Sequence, residues 1–228
     1  MRIATLPDPL LERLLEARLH DPFGILGAHR EGEQWVVRVF DPYAAQAWIE
    51  TASGWSVLAS CAAGLFEWRG RELPPCPWRL RLREDSAVRE AFDPYAFSPE
   101  ISDHDLFLFN AGSLHQAWRI LGAHALEREG VRGTRFAVWA PNAERVSVVG
   151  DFNRWDGRTH PMASRGSSGV WELFIPGVAP GALYKYEIRN RESGEVFLKS
   201  DPYGRSFEQR PSTAARVEIG RASCRERV

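Results

Sequence analysis

Three short motifs occur twice in this chain, in the same order. Ile25-Leu26-Gly27-Ala28-His29 returns as Ile120-Leu121-Gly122-Ala123-His124. Phe40-Asp41-Pro42-Tyr43-Ala44 is answered by Trp139-Ala140-Pro141-Asn142-Ala143, and Asp93-Pro94-Tyr95 by Asp201-Pro202-Tyr203. Chance does not keep three anchors in order at similar gaps, so the chain holds two copies of one structural plan. With 228 residues in total, each copy has roughly 100, an ordinary size for a domain.

The pattern inside each copy is that of strands. Trp35, Val37 and Val39 alternate with Val36, Arg38 and Phe40, and Trp78, Leu80 and Leu82 alternate with Arg79, Arg81 and Arg83. Period two with a charged alternate face predicts half-buried strands. In the second copy, residues 136–139, 145–150, 170–175 and 183–188 are short, aromatic or β-branched runs between Pro- and Gly-rich turns. The expected fold is therefore all-β, two tandem immunoglobulin-like β-sandwich domains. A short N-terminal helix is expected within residues 1–20, with Asp8 as cap, Pro9 in the first turn and leucines at helical spacing to about residue 18. The sandwiches are expected over residues 21–108 and 109–218. Ser113 is read as the cap of a short helical join carrying Leu114, Ala117, Trp118 and Leu121.

Composition narrows the chemistry. A formal net charge of −1 excludes a binder that works through a basic field, so no nucleic-acid partner is expected. No apolar run approaches the roughly 20 residues that span a bilayer, and the start lacks a signal-peptide core. Three cysteines, Cys61, Cys76 and Cys224, are too few for a disulfide scaffold and fit a reducing cytoplasm. There is no nucleotide-binding glycine loop, nucleophile elbow or zinc signature, so neither cofactor nor metal is expected. His29 and His124 recur inside the repeated element, which predicts a structural role for both. The acidic residues show no paired arrangement of the kind glycoside chemistry uses, and no catalytic residue is assigned.

What remains is a binding surface. Asp151-Phe152-Asn153-Arg154-Trp155-Asp156-Gly157 follows a strand, and its turn-forming composition should project Trp155 outward. Sugar rings stack their C–H face on an indole while their hydroxyls seek polar neighbours. Packing within the loop is an equally good reading of Trp155 taken alone. Lys185 lies between Tyr184 and Tyr186; with the tyrosines in the core, period two puts Lys185 on the solvated face, able to donate to hydroxyls. Trp139 and Trp171, inside apolar strands, are expected in the core.

The run from Gly133 to Ala143 and the run from Val146 to Gly157 closely resemble carbohydrate-binding module family 48, in the version found in bacterial 1,4-α-glucan branching enzymes. The likeness continues through His160-Pro161-Met162, Gly169 to Pro176, Tyr184-Lys185-Tyr186-Glu187 and Lys199 to Tyr203. The first copy, with Asp21-Pro22-Phe23-Gly24 ahead of Ile25, resembles the extra N-terminal domain of the longer bacterial branching enzymes. The resemblance implies α-1,4-glucan or glycogen as partner. It also implies a catalytic (β/α)-barrel that makes α-1,6 branches by a retaining mechanism. None of the barrel's motifs occurs in this chain, so the fragment by itself is expected to be inactive. Trp155 and Lys185 coincide with the positions that contact glucan in the better-binding members. Phe197 stands where such members usually carry another tryptophan. A debranching or trehalose-forming enzyme of the same superfamily, or a stand-alone glucan-binding module, remains an alternative. Residues 219–228 resemble one reading frame of a sequencing adapter and are expected to be a non-native tail.

Overall fold

The computed structural model describes residues 8–218; the tail reading falls outside them. The chain divides between Ser98 and Pro99 into two compact units.

The first unit opens with helix α1 (Asp8–Leu15). Its strands are β1 (Gly27–Glu31), β2 (Gln34–Phe40), β3 (Gln46–Thr51), β4 (Gly54–Val57), β5 (Ala59–Ala62), β6 (Leu65–Gly70), β7 (Arg79–Glu84) and β8 (Ala87–Phe92). They form two antiparallel sheets, ordered β1-β2-β6-β5 and β4-β3-β7-β8. Val37, Val39 and Phe66 from one sheet meet Ala47, Ile49, Leu80 and Leu82 from the other around Trp78. The arginines of β7 take the opposite face, as period two requires. The alternate face of β2 is not solvated, however. Val36 is fully buried, and Arg38 is buried with Glu67, to which it donates at 2.9 Å. Pairing and hydrogen bonding make that burial tolerable.

The second unit carries helix α2 (Asp103–Asn110) and strands β9 (Gly122–Arg128), β10 (Val131–Trp139), β11 (Ala143–Gly150), β12 (Ala163–Ser164), β13 (Val170–Pro176), β14 (Leu183–Asn190), β15 (Val196–Lys199), β16 (Ser206–Phe207) and β17 (Ala215–Arg216). One sheet runs β12-β13-β10-β9; the other runs β11-β14-β17-β16, with β15 also on β14. All pairings are antiparallel, so this unit too is an all-β sandwich.

The repeated motifs make repeated contacts. His29 Nε2 donates to Leu26 O at 3.1 Å and His124 Nε2 to Leu121 O at 2.9 Å, the structural role the repeat implied. Asp41 N donates to Gly64 O and Ala140 N to Gly169 O, each at 2.8 Å. A Cβ on Gly27 would meet Tyr95, and one on Gly122 would meet Tyr203. Asp93 accepts from Trp78 Nε1 at 2.9 Å and from Tyr95 N. Asp201 accepts from Tyr184 Oη at 2.6 Å and from Tyr203 N at 2.8 Å. Each Asp-Pro-Tyr therefore caps a turn with one carboxylate oxygen and anchors an aromatic donor on the adjacent sheet with the other.

Three expectations are corrected. The boundary lies at 98/99 rather than 108/109, because α2 and its approach pack on the second unit: Glu100 N and Ile101 N donate to Glu172 Oε1 at 2.7 and 3.1 Å, and Leu106 joins the cluster of Leu121, Ala137 and Val170. The helix of the join is capped by Ser102, whose Oγ accepts from Asp105 N, not by Ser113. Ser113 N instead donates to Leu108 O just past Gly112, which sits at φ +69°, so this stretch closes the helix rather than opening one. Residues 117–119 form only a single 3-10 turn. Finally, α1 stops at Leu15, where Ala17 turns left-handed at φ +52° and Arg18 N donates back to Arg13 O.

Candidate functional site

The loop after β11 is held by one side chain. Asn153 is buried; its Oδ1 accepts from Gly150 N and its Nδ2 donates to Val148 O, both at 2.8 Å. The Asn153 Nδ2 also lies 2.8 Å from His160 Nδ1, tying the outgoing loop to its return. The return then runs beside β11, with Val148 N donating to His160 O and Met162 N to Val146 O.

Around this clamp the chain turns sharply. Arg154 and Trp155 are both left-handed, at φ +57° and +58°, a conformation that costs a bulky residue energy. Trp155 N donates to Gly150 O, so the indole leaves from the end of β11. Asp156 accepts from Arg158 N at 2.9 Å and pairs with its guanidinium. Gly157 passes where no Cβ fits, against Glu187 and the buried Arg145, which donates to Gly157 O, Ser147 Oγ and Glu187 Oε1.

Lys185 is reached through the sheet. In the β11–β14 register, Gly150 faces Tyr184 and Val149 faces Lys185. The two tyrosines are buried, and the alternation turns Lys185 to the other face. Trp155 and Lys185 therefore lie at the same end of one strand pair, both half-buried. Among the described residues, the Lys185 ammonium and the Trp155 indole N–H have no hydrogen-bond partner. One end of the β11–β14 pair thus carries both an indole and a cationic donor. Burial pushes the Asp201 carboxyl up and the Tyr186 hydroxyl well up, keeping both acids neutral over a wider pH range beneath Lys185's strand.

Trp171 is in the core at 2% exposure, with its Nε1 on Ala140 O at 3.0 Å. Trp139 is not: it is 54% exposed, with its ring edge-on to Phe109 at 6.2 Å. Phe136 and Val138 face the sandwich interior, whereas Ala137 and Trp139 share the other face; there Ala137 is buried in the cluster with Leu106 of α2 and Trp139, at the end of the strand, is left half-covered beside Phe109. Phe197 is exposed on β15. No group of three or more His, Cys, Asp or Glu residues is gathered as metal ligands among the described residues. No helix among them is long and apolar enough to cross a membrane.

Residues 120–204 match the family model of carbohydrate-binding module 48 (isoamylase N-terminal domain). Residues 8–95 match the model of the N-terminal domain of the alpha-1,4-glucan branching enzyme GlgB. The 1,4-alpha-glucan branching enzyme GlgB of Nitrosospira multiformis is 59% identical over 216 residues, which cover 92% of this chain and 29% of that protein. Its counterpart from Methylobacillus flagellatus is 57% identical over 211 residues, again 92% of this chain and 29% of the relative. The chain therefore spans less than a third of the length of these curated relatives.

Proposed function

We propose that this chain, which matches the branching-enzyme N-terminal model over residues 8–95 and the carbohydrate-binding module 48 model over residues 120–204, is the non-catalytic part of a 1,4-alpha-glucan branching enzyme. In this reading it holds an α-1,4-glucan near a catalytic barrel outside the present sequence, where a cut segment is transferred to a sugar 6-hydroxyl to form an α-1,6 branch. The glucan contact is the corner of Trp155 and Lys185. The indole stacks on the C–H face of a glucose ring, and the ammonium donates to ring hydroxyls. The observation that carries the reading is the loop geometry: a buried Asn153 clamps the loop in which Trp155 is left-handed, at the same end of the strand pair as a lysine with no protein partner among the described residues. A contact formed in advance in this way loses little side-chain freedom when sugar arrives. We also place the protein in a reducing, cytoplasmic setting, in keeping with free Cys61 and Cys76.

Nuclear magnetic resonance of the indole N–H groups tests this directly. The Trp155 signal, identified by its loss in Trp155→Ala, is expected to shift saturably with maltoheptaose. Lys185→Ala is expected to weaken that response about tenfold, the equivalent of one charged hydrogen bond. A Trp155 signal indifferent to saturating maltoheptaose would end the reading.

A further inference from the structure

The duplication gives the first unit a counterpart of the Trp155–Lys185 corner. The bond of Asp41 N to Gly64 O matches that of Ala140 N to Gly169 O. Eight residues beyond these nitrogens lie Ile49 and Val148, which pair across their sheets with Leu80 and Tyr186. One residue earlier on those partner strands stand Arg79 and Lys185, and two earlier stand Trp78 and Tyr184. The match closes independently, since Trp78 and Tyr184 donate to the duplicated Asp93 and Asp201. Arg79 is therefore the internal equivalent of Lys185.

The aromatic partner is duplicated as well. Trp155 follows Gly150, the last residue of β11, by five positions, and Trp55 follows Thr51, the last residue of β3, by four. Each chain returns at once on its strand: Trp155 N bonds Gly150 O, and Gly54 pairs with Thr51. Trp55 lies directly across from Glu50, to which Arg79 donates at 3.3 Å. Glu50 alternates with the fully buried Ile49, so Trp55 and Arg79 belong to the face turned away from the core. The Arg81 guanidinium lies 4.0 Å and the Arg79 guanidinium 5.9 Å from the centroid of the Trp55 ring, so two cations pack against the indole and fix its plane. Half-buried Trp48 shares this face, because it pairs with Arg81 in the β3–β7 register.

We propose that Trp55 and Arg79 form a second α-glucan contact, on the first unit. It rests on the assignment of Trp155 and Lys185, whose arrangement it repeats with arginine in place of lysine. The part of the half-buried indole that Arg79 and Arg81 leave uncovered stacks on a glucose ring, and Arg79, which is paired with Glu50 and Glu90, serves with the Glu50 carboxylate as donor and acceptor for its hydroxyls.

The test uses the 228-residue chain, with indole N–H signals assigned through Trp55→Phe and Trp155→Phe. In Trp155→Ala, maltoheptaose is expected to shift the Trp55 signal saturably, while cellohexaose of opposite linkage stereochemistry leaves it in place. Arg79→Ala is expected to weaken the Trp55 response about tenfold with the other indole signals unmoved, which verifies the fold. A silent Trp55 beside a responding Trp155 overturns this inference and leaves the first site standing. A responding Trp55 beside a silent Trp155 upholds the new contact and removes the older assignment. Silence at both ends both readings, and an equal response to cellohexaose overturns the α-glucan specificity claimed here.

Discussion

Asp93 shows what a single residue contributes to this fold. Burial pushes its carboxyl from the ordinary value near 3.8 up to about 6, against the lowering pull of the Trp78 and Tyr95 donors. The folded state thus holds this proton more tightly than the unfolded chain does. The group's contribution to stability is greatest below pH 4 and declines as pH rises through 6, by about 3 kcal/mol for a two-unit difference. Asn at this position keeps an acceptor and cannot ionise. Denaturation of Asp93→Asn and the parent at pH 4 and pH 7 is expected to show the variant gaining about 2 kcal/mol relative to the parent over that interval; equal pH slopes would refute the account. The motif itself could be read directly, because Asp-Pro-Tyr occurs twice. Its partners could not, since Trp78 and Tyr184 sit far from it in sequence and only the fold brings them near. The exposure of Trp139 is not legible in the sequence, because its face of the strand is covered by α2 at Ala137 and left open at the strand's end.

Strands were recovered well and helices less so, for a physical reason. Period two survives in short segments, and the four runs read in the second unit all lie within observed strands. A short helix depends on which of several capping residues wins, and Ser102 with Asp105 outcompetes Ser113. The turns are the most demanding elements. Gly64 sits at φ +78°, and a Cβ there would lie 2.8 Å from both Asp41 O and Pro42 Cα. Gly32 is left-handed too, at φ +62°, but faces open space. Gly32→Ala should therefore cost only the backbone term, about 1 kcal/mol, and Gly64→Ala at least about 3 kcal/mol. Urea titrations that rank the two equally would show that the close approach to Pro42 carries no weight.

For the whole molecule, the duplicated plan could be seen before any coordinates, and the paired contacts of Gly27 with Tyr95 and Gly122 with Tyr203 give it a mechanical basis. The place of division was less visible, because α2 falls between the two sandwiches in sequence and its approach is tied to the second by Glu172, some 70 residues further along. In the function proposed here the chain handles polymer and makes no bonds. Incubation of amylose with the 228-residue chain is accordingly expected to yield no new α-1,6 linkages by proton nuclear magnetic resonance, and their appearance would refute the division of labour. A last consequence follows from the twin left-handed residues at 154 and 155. Glycine in place of the tryptophan would relieve roughly 1–2 kcal/mol of local strain, so a chain shaped for robustness alone has a cheaper option there. In the function proposed here, the indole marks a position where durability has been traded for grip.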